Sequence, residues 1–590
     1  MGLSFTIDTP LKVAPYGISS VISVAEDELL EKMREVICRD ENLHFIAIPV
    51  EEKDFRAQRI TAYLNLLDYL VDRKFNAIRS APIEMGSDSE KYFSLLPEDS
   101  EVKQKYRNLP VNQGPERLKA IAHLRELMCA GSIDVNIMTK VDGLTYKESG
   151  EPLPQEYSNA LSALRGYANS NLDSSIVFSA GLNPRLFNYC TEFDDFFPDA
   201  TGKIKKRIIL KVSDFRSASI QSKYLAKKGL WVSEFRIESG INCGGHAFVA
   251  EGHLLGPILE EFKLNRNPLR EELFVSCNQA LNSSGRAEFV SMPLQKITAQ
   301  GGIGTYLENE FLMNHYELDA TGWGSPFLLV PEATNVDEET MEKLLQAKKE
   351  DYYLSHASPL GVPFHNLRTS SSETQRKHRI QKGRPGSPCY KKFLAFNTEF
   401  TERPICTASR EYQNLKIKQL RLQISDEKKY QEEVDRVTEK DCLCEGLGAS
   451  ALLKNHTKLS HKLKAVTICP GPNLAYFSKK VSLKGMFDHI YGRSSVLNST
   501  HRPHMFVNEL KLYVEYFKKE MVEIEVQMSD KKRNASETFK TNLIKGIDYY
   551  RQISTDICEA GSAAYDDLLM QLASIKNELL GEINNNLAHI

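Results

Sequence analysis

Short apolar runs alternate with helical patterns through roughly the first half of the chain. Most runs are bounded by Gly, Asp, Asn or Ser, as strands usually are. The candidate strands are Leu11–Pro15, Ile133–Met138, Ser175–Ala180, Arg207–Val212, Val232–Ile237, Gln295–Ala299 and Ala320–Phe327. Helical patterns such as Ser217–Lys228 and Leu254–Phe262 lie between them. This repetition predicts an α/β fold with a parallel sheet, and its length predicts a (β/α)8 TIM barrel within residues 1–375.

Two stretches depart from this repeating pattern. Residues 21–130 are too long for one crossover and contain helical patterns at Asp27–Cys38 and Gln58–Val71. We interpret them as a helical insertion that elaborates the N-terminal unit. The segment Ser370–Pro388 is polar, basic and rich in Gly, Pro and Ser, which predicts a loop or linker. Residues 376–500 are then expected to form an extension that carries five cysteines.

From Pro503 the chain looks helical throughout. Apolar residues recur at steps of three and four, first from Phe506 to Phe517 and again from Phe539 to Ile553. Such stripes are typical of amphipathic helices, so residues 501–590 are predicted to form an antiparallel helical hairpin. We expect its apolar face to dock on the barrel, to pair with a second copy of the chain, or to bind a partner.

Composition narrows the functional classes. The chain has 590 residues, 41% hydrophobic and 26% charged, as in an ordinary globular protein. Its net charge of −3 argues against a nucleic-acid binder, and no apolar run approaches the roughly 18 residues of a membrane helix. Its 11 cysteines are an odd number spread along a long chain, which favours a reducing cytoplasm over a disulfide-rich secreted protein. We therefore expect a cytoplasmic protein with a small-molecule substrate.

The strongest chemical signal is a pair of glycine-rich segments that follow two successive strands. Gly301 and Gly302 end one strand, and Gly324 and Ser325 interrupt the next. Glycines let the backbone approach an anion, and amides that open a helix point toward it. Late strands of a barrel commonly build a phosphate site in this way. The alternative reading is two tight turns.

A second signal follows the strand Val232–Ile237. Gly244 and Gly245 precede His246, and residues at the carboxyl ends of barrel strands face the active site. Histidine titrates near neutral pH, so His246 is a candidate for proton transfer. The alternative is that His246 is a buried residue with a structural role.

These segments together resemble the nitronate monooxygenase (2-nitropropane dioxygenase) family of FMN-dependent (β/α)8 barrels. The order and spacing match over about residues 175–332, and Thr9–Pro15 and Val135-Asn136 extend the resemblance weakly toward residue 9. Tyr16 and Ser325 depart from the family pattern, which has Met and Thr there. Longer relatives act as enoyl reductases, and the FMN barrel of glutamate synthase is a more distant similarity.

The resemblance implies an FMN-dependent oxidoreductase and assigns roles to particular residues. It places the FMN phosphate on the amides of Gly301, Gly302, Gly324 and Ser325. Contacts to the isoalloxazine ring or ribityl chain would come from Ala14, Pro15, Asn136 and Lys211. Gly244 and Gly245, the flexible platform that carries His246, are also expected to bind the cofactor. Lys211 would stabilise a reduced, anionic flavin unless it is a surface lysine. His246 would be the base or acid opposite the flavin, which carries the redox chemistry.

Five cysteines form a third group: Cys389, Cys406, Cys442, Cys444 and Cys469. Four of them would suffice for an iron–sulfur cluster or a zinc ion, and a cluster would provide an electron path to FMN. Their wide spacings fit no standard motif, and buried free thiols are the alternative. Two further functions stay open: a barrel that binds phosphate within an assembly without turnover, and a non-flavin barrel such as an isomerase or aldolase.

Overall fold

The computed structural model describes residues 3–112, 114–146, 150–179, 181–242, 244–247, 250–457, 465–477, 479–498, 502–526 and 530–587. Seven strands form one parallel sheet in which each strand pairs with the next along the chain. They are β1 (Ser20–Ser23), β2 (Ile133–Ile137), β3 (Ser174–Phe178), β4 (Lys206–Val212), β5 (Val232–Glu238), β6 (Lys296–Gln300) and β7 (Ala320–Gly322). A separate antiparallel hairpin follows, made of β8 (Tyr352–Ser355) and β9 (Phe364–Leu367).

The sheet is curled but not closed. Side chains from all seven parallel strands line one internal cavity, including those of β1 and β7, the two edge strands. The α/β class is therefore confirmed, whereas the closed eight-stranded barrel is wrong, because no eighth strand joins β7 to β1 among the described residues. The predicted strand Ala320–Phe327 stops early because Ser325–Leu329, with Pro326 in its first turn, forms a 3-10 helix.

The first predicted strand, Leu11–Pro15, is also corrected. Residues Thr9–Val13 form helix α1, and Ala14–Tyr16 form a 3-10 turn. Pro10 and Pro15 each occupy the first turn of their helix, where the missing amide hydrogen costs nothing. The first strand is instead β1, which begins at Ser20. The third predicted strand is Ser175–Ala180, and its last residue, Ala180, lies outside the described residues.

Helices surround the sheet. Residues 21–130 hold five of them after β1: α2 (Asp27–Asp40), α3 (Phe55–Ser80), α4 (Asp88–Ser94), α5 (Glu101–Arg107) and α6 (Pro115–Leu127). Those that follow the later strands are α7 (Asn159–Ala168), α8 (Pro184–Tyr189), α9 (Phe215–Ala226), α10 (Leu255–Ser283), α11 (Tyr306–His315) and α12 (Glu338–Gln346). None of the helices in the described part of the chain is long and apolar enough to cross a membrane.

The predicted linker Ser370–Pro388 begins with a helix, α13 (Ser371–Gln381). Ser370 caps it by accepting a hydrogen bond from the amide of Glu373, whose carboxylate pairs with Arg376. Further along lie α14 (Arg410–Gln423), α15 (Glu427–Glu439), α16 (Leu443–Lys454), α17 (Leu483–Ile490), α18 (Met505–Val526), α19 (Asp530–Gln552), α20 (Ser554–Ile557) and α21 (Ala563–Leu587). Within its described residues, the predicted C-terminal hairpin thus consists of three long helices and one short one.

The C-terminal helices share a core with the sheet. Phe506 and Leu510 of α18, together with Ile547 and Tyr550 of α19, belong to the same apolar cluster as strand residues such as Ile237. The ring of Phe506 stacks on that of Tyr550 at 4.5 Å. Docking on the sheet, one of the expected roles of this region, is therefore what the structure shows.

Candidate active site in the strand-lined cavity

A cavity of about 1320 Å³ lies inside the curled sheet. Alternate residues of each strand point to opposite sides of a sheet. In β2, Val135 packs into the apolar core while Asp134 and Asn136 line the cavity. β5 repeats this arrangement with Phe235 outward and Arg236 inward. The inner face of the sheet therefore carries polar and charged side chains in addition to apolar ones.

Charged groups near the amino ends of the strands pair with one another. Glu234 accepts hydrogen bonds from Arg236 at 2.8 Å and from the Thr298 hydroxyl at 2.6 Å. Asp134 lies 3.7 Å from Arg236, and burial raises the pKa of the Asp134 carboxyl. One guanidinium is thus shared by two carboxylates, which ties β2 and β5 together at this end of the cavity.

A second polar group lies at the carboxyl ends of the strands. Lys211 on β4 pairs with Glu238 on β5 at 2.8 Å, and Gln300 on β6 donates to the same carboxylate at 2.8 Å. The Lys211 side chain is 19% exposed, so it points into the cavity and is not a surface lysine. Asn136 lines the same region and donates to Ser23 at 3.4 Å.

His246 lies at this carboxyl end, on the loop that follows β5. Its Nε2 is 2.6 Å from the hydroxyl oxygen of Ser358, and its ring meets the edge of Phe364 at 5.3 Å. Burial, together with repulsion from the nearby ammonium groups of Lys211 and Lys140, lowers the pKa of His246 to about 4. The imidazole is therefore neutral at physiological pH, unlike the near-neutral titration expected from sequence.

Gly244 and Gly245 line the cavity beside His246 and fix its backbone. Gly244 has a φ of 109°, and a Cβ there would overlap the carbonyl oxygen of Cys469, so only glycine fits. The amide of Gly245 donates to that carbonyl at 3.3 Å, and its own carbonyl accepts from the amide of His365 at 2.9 Å. The loop is thus clamped between Cys469 and β9.

The predicted phosphate residues are not brought together around the cavity. Gly324 lines it, but Gly301, Gly302 and Ser325 do not. The carbonyl of Gly302 accepts a hydrogen bond from Arg502 at 2.7 Å, and the Ser325 hydroxyl accepts one from the amide of Gly471 at 2.8 Å. A phosphate role for these residues stays a prediction, and the space beside Gly302 holds the Arg502 side chain.

Ala14 and Pro15 also lie away from the cavity wall. Both are buried in the 3-10 turn, and neither lines the cavity. The resemblance placed them on a first strand whose carboxyl end faces the flavin. Since that strand is a helix here, the structure gives their predicted flavin contact no support.

All five cysteines of the predicted metal group lie in one apolar cluster with Phe364 and Leu394. Cys444 and Cys469 also line the cavity. Within the described residues, however, no three His, Cys, Asp or Glu side chains are arranged to hold a metal ion. The iron–sulfur or zinc site is therefore not supported.

The sequence interpretation missed most of the polar cavity wall. Glu234, Arg236, Glu238 and Gln300 face the cavity, yet none was singled out. A signal was available, because charged residues alternate with apolar ones from Glu234 to Glu238 in the strand Val232–Glu238. Parallel strands that are covered on both faces are usually apolar throughout, so this alternation indicates a polar interior.

Comparison with known proteins does not identify the chain. No protein-family model matches it, and no curated protein matches it. The structure of FabK from Thermotoga maritima aligns with 69% of this chain and 85% of its own, at 15% identity and a TM-score of 0.31. The enoyl reductase domain of MlnA, from the macrolactin biosynthesis cluster of Bacillus amyloliquefaciens, aligns with 75% of this chain and 88% of its own, with the same identity and TM-score. At this level the likeness assigns no family.

Proposed function

We propose that the protein is an FMN-dependent oxidoreductase whose flavin binds at the carboxyl end of the cavity. The observation that supports the proposal is the convergence of Asn136, Lys211 and His246 on one cavity wall, beside Gly244 and Gly245. Active sites of parallel α/β sheets lie at the carboxyl ends of their strands. The cavity volume of about 1320 Å³ is ample for a cofactor and a substrate.

The residues present fit the ring of a flavin better than its phosphate. Polar side chains and glycine backbone surround the space at the carboxyl ends, whereas Gly301 and Gly302 lie outside it. A bound flavin would supply hydride and electron transfer. The chain itself would orient the ligand through Asn136 and hold positive charge at Lys211, which Glu238 keeps in place.

His246 is the proposed proton-transfer group. Ser358 engages its Nε2, so Nδ1 is the ring nitrogen that would exchange a proton with a ligand. A neutral imidazole accepts a proton more readily once negative charge develops nearby, because an opposite charge raises its pKa. His246 would therefore act as a base that becomes cationic only when the cavity holds an anion.

Within this class we propose chemistry like that of nitronate monooxygenases, with an enoyl reductase as the alternative. The resemblance of the Gly244–His246 and Gly301–Ser325 segments supports both. Oxygen consumption with an alkyl nitronate would indicate the first activity. Reduction of an enoyl thioester with a nicotinamide donor would indicate the second. We do not include an iron–sulfur cluster in this proposal, since the described residues contain no set of metal ligands.

FMN titration of the purified protein tests the binding proposal. Lys211→Met should weaken FMN binding about tenfold or more, because a hydrogen bond to a charged group contributes about 1.5–3 kcal/mol. Lys296→Met is the matched control, since Lys296 lines the same cavity at the amino end of β6. Absorbance and quenching of flavin fluorescence give the affinities. A protein that binds no FMN, or equal losses in the two variants, would reject the proposed position.

A further inference from the structure

A second, smaller cavity lies on the other side of strand β9. Phe364 lines the large cavity, whereas Pro363 and His365 line the small one, because successive residues of an extended chain point to opposite sides. Helix α18 and the 3-10 helix Pro472–Tyr476 contribute its other walls. We call this space, of about 410 Å³, the rear pocket. Its volume is in the range of small-molecule sites, and the function proposed above makes no use of it.

The deep end of the rear pocket carries a buried hydrogen-bond acceptor. His365 is 2% exposed, and its Nε2 lies 3.2 Å from the carbonyl oxygen of Gly240. A carbonyl oxygen only accepts, and burial lowers the pKa of His365 to about 4, so the single proton of the neutral ring is on Nε2. Nδ1 therefore keeps its lone pair, and no described residue donates to it. This acceptor fits a ligand that carries an N–H group.

Tyrosine rings form much of the pocket wall. They belong to Tyr352, Tyr353, Tyr476 and Tyr516. Tyr352 is 8% exposed, so its ring lies deep in the pocket with His365. Aromatic side chains bind the faces of planar heterocycles by stacking. The inner part of the pocket therefore suits a flat ring with an amino group.

The rim of the rear pocket is rich in cations. Its basic side chains are Lys349, Arg368, Lys511 and Lys519, and its acidic ones are Glu350, Glu515 and Glu520. Among the described residues, no ion pair joins these cations to a carboxylate. Arg368 is exposed and donates from Nε to the carbonyl of Glu350 at 3.1 Å, which leaves its two Nη groups available. A guanidinium and ammonium groups without carboxylate partners are suited to a phosphate.

We propose that the rear pocket binds an adenine nucleotide, with its base against the tyrosines and its phosphate at the cationic rim. The 6-amino group of the base donates to Nδ1 of His365, while Arg368 and Lys349 donate to the phosphate. The amide of His365 also donates to the carbonyl of Gly245 at 2.9 Å, next to His246. The nucleotide would thus bind the strand that holds the His246 loop, but its binding does not require a flavin in the large cavity.

Isothermal titration calorimetry of the full chain with AMP tests this site. One AMP should bind per chain. IMP should bind at least about tenfold more weakly, because it has a carbonyl oxygen in place of the 6-amino group and this oxygen would face the lone pair of Nδ1. Adenosine and inorganic phosphate, which each lack one half of the ligand, should also bind more weakly than AMP.

Variants of the rim locate the phosphate. Arg368→Met and Lys349→Met should each weaken AMP binding about threefold to tenfold, with less effect at high salt because both side chains are exposed. Lys518→Met is the matched control, since Lys518 lies on α18 but pairs with Glu578 and does not line the pocket. It should bind AMP like the parent chain.

Four results would overturn the proposal. The first is no binding of AMP by the parent chain, which needs no variant to fold. The second is equal affinity for AMP and IMP, since His365 would then not contact the base. The third is an equal loss in Lys518→Met, which would indicate attraction to general surface charge. The fourth is displacement of AMP by one equivalent of FMN, which would indicate that both ligands occupy one site.

Discussion

At the scale of single residues, His246 shows how position changes chemistry. Sequence analysis placed it correctly after a parallel strand. It also predicted titration near neutral pH, because a free histidine has a pKa of about 6.5. In the structure, burial and two neighbouring ammonium groups lower its pKa to about 4. The effect depends on Lys140 and Lys211, which are separated from His246 in sequence and meet it only because three strands end together.

This environment can be tested by replacing one cation. Lys211→Met should raise the pKa of His246, because a repelling positive charge is removed, although burial should still hold it below 6.5. NMR of the labelled imidazole across pH 3–8 measures the change. Lys296→Met, at the other end of the cavity, should leave the titration unchanged. A His246 that titrates near 6.5 in the parent chain would contradict the described burial.

At the scale of elements, Glu509 connects helix α18 to the end of β5. Its carboxylate accepts from the hydroxyl of Ser239 at 2.8 Å and from the amide of Leu255 at 2.9 Å. Burial raises the pKa of Glu509 to about 7. The folded chain therefore holds this proton more tightly than the unfolded chain, in which a glutamate titrates near 4.3.

The stability of the protein should fall as the pH rises, because folding is coupled to the protonation of Glu509. At a pH below the pKa of Glu509 in the unfolded chain, this residue is protonated in both the folded and the unfolded state, and its contribution to the free energy of unfolding is complete. This contribution is lost as the pH rises through about 7. The loss between pH 4.5 and 7 should be on the order of 3 kcal/mol. Glu509→Gln should flatten this slope in urea unfolding measured across pH 5–8. Glu515→Gln, an exposed site on the same helix, should keep the parental slope.

Some elements could be predicted from sequence because local and tertiary signals agree. Arg207–Val212 and Val232–Ile237 were placed within one residue of β4 and β5, since both are short runs rich in branched apolar residues and both strands lie inside the sheet. Leu11–Pro15 failed because its apolar run reads as a strand while its prolines begin helices. The helix at Ser371 was missed although Ser370 and Glu373 form a recognisable N-terminal cap.

The candidate site could be predicted only in part, because distant parts of the chain surround its residues. Asn136, Lys211 and His246 line the cavity, and their roles toward a flavin stay predictions. The surroundings of Gly301 and Gly302 could not be predicted, because Arg502 reaches Gly302 from two hundred positions along the chain.

At the scale of the whole molecule, the C-terminal helices and the sheet are joined in one apolar core. Gly546 of α19 marks this junction, since a Cβ there would lie 2.5 Å from Cδ1 and 3.0 Å from Cγ of the fully buried Leu254. Gly581 of α21 has no heavy atom within 4 Å of such a position. The two helical glycines therefore differ in packing but not in intrinsic helix propensity.

Alanine at these two positions should change stability in opposite directions. Gly581→Ala should stabilise the protein by about 0.5–1 kcal/mol, since glycine lowers helix stability by that amount. Gly546→Ala should destabilise it by about 1–3 kcal/mol, because the added methyl group overpacks the core against Leu254. Urea unfolding is measured by far-ultraviolet circular dichroism, which reports the helices, and by tryptophan fluorescence, which reports Trp231 before β5 and Trp323 after β7. Because the core is shared, Gly546→Ala should lower the midpoint equally by both probes. A lower midpoint by circular dichroism alone would mean that the C-terminal helices unfold independently of the sheet.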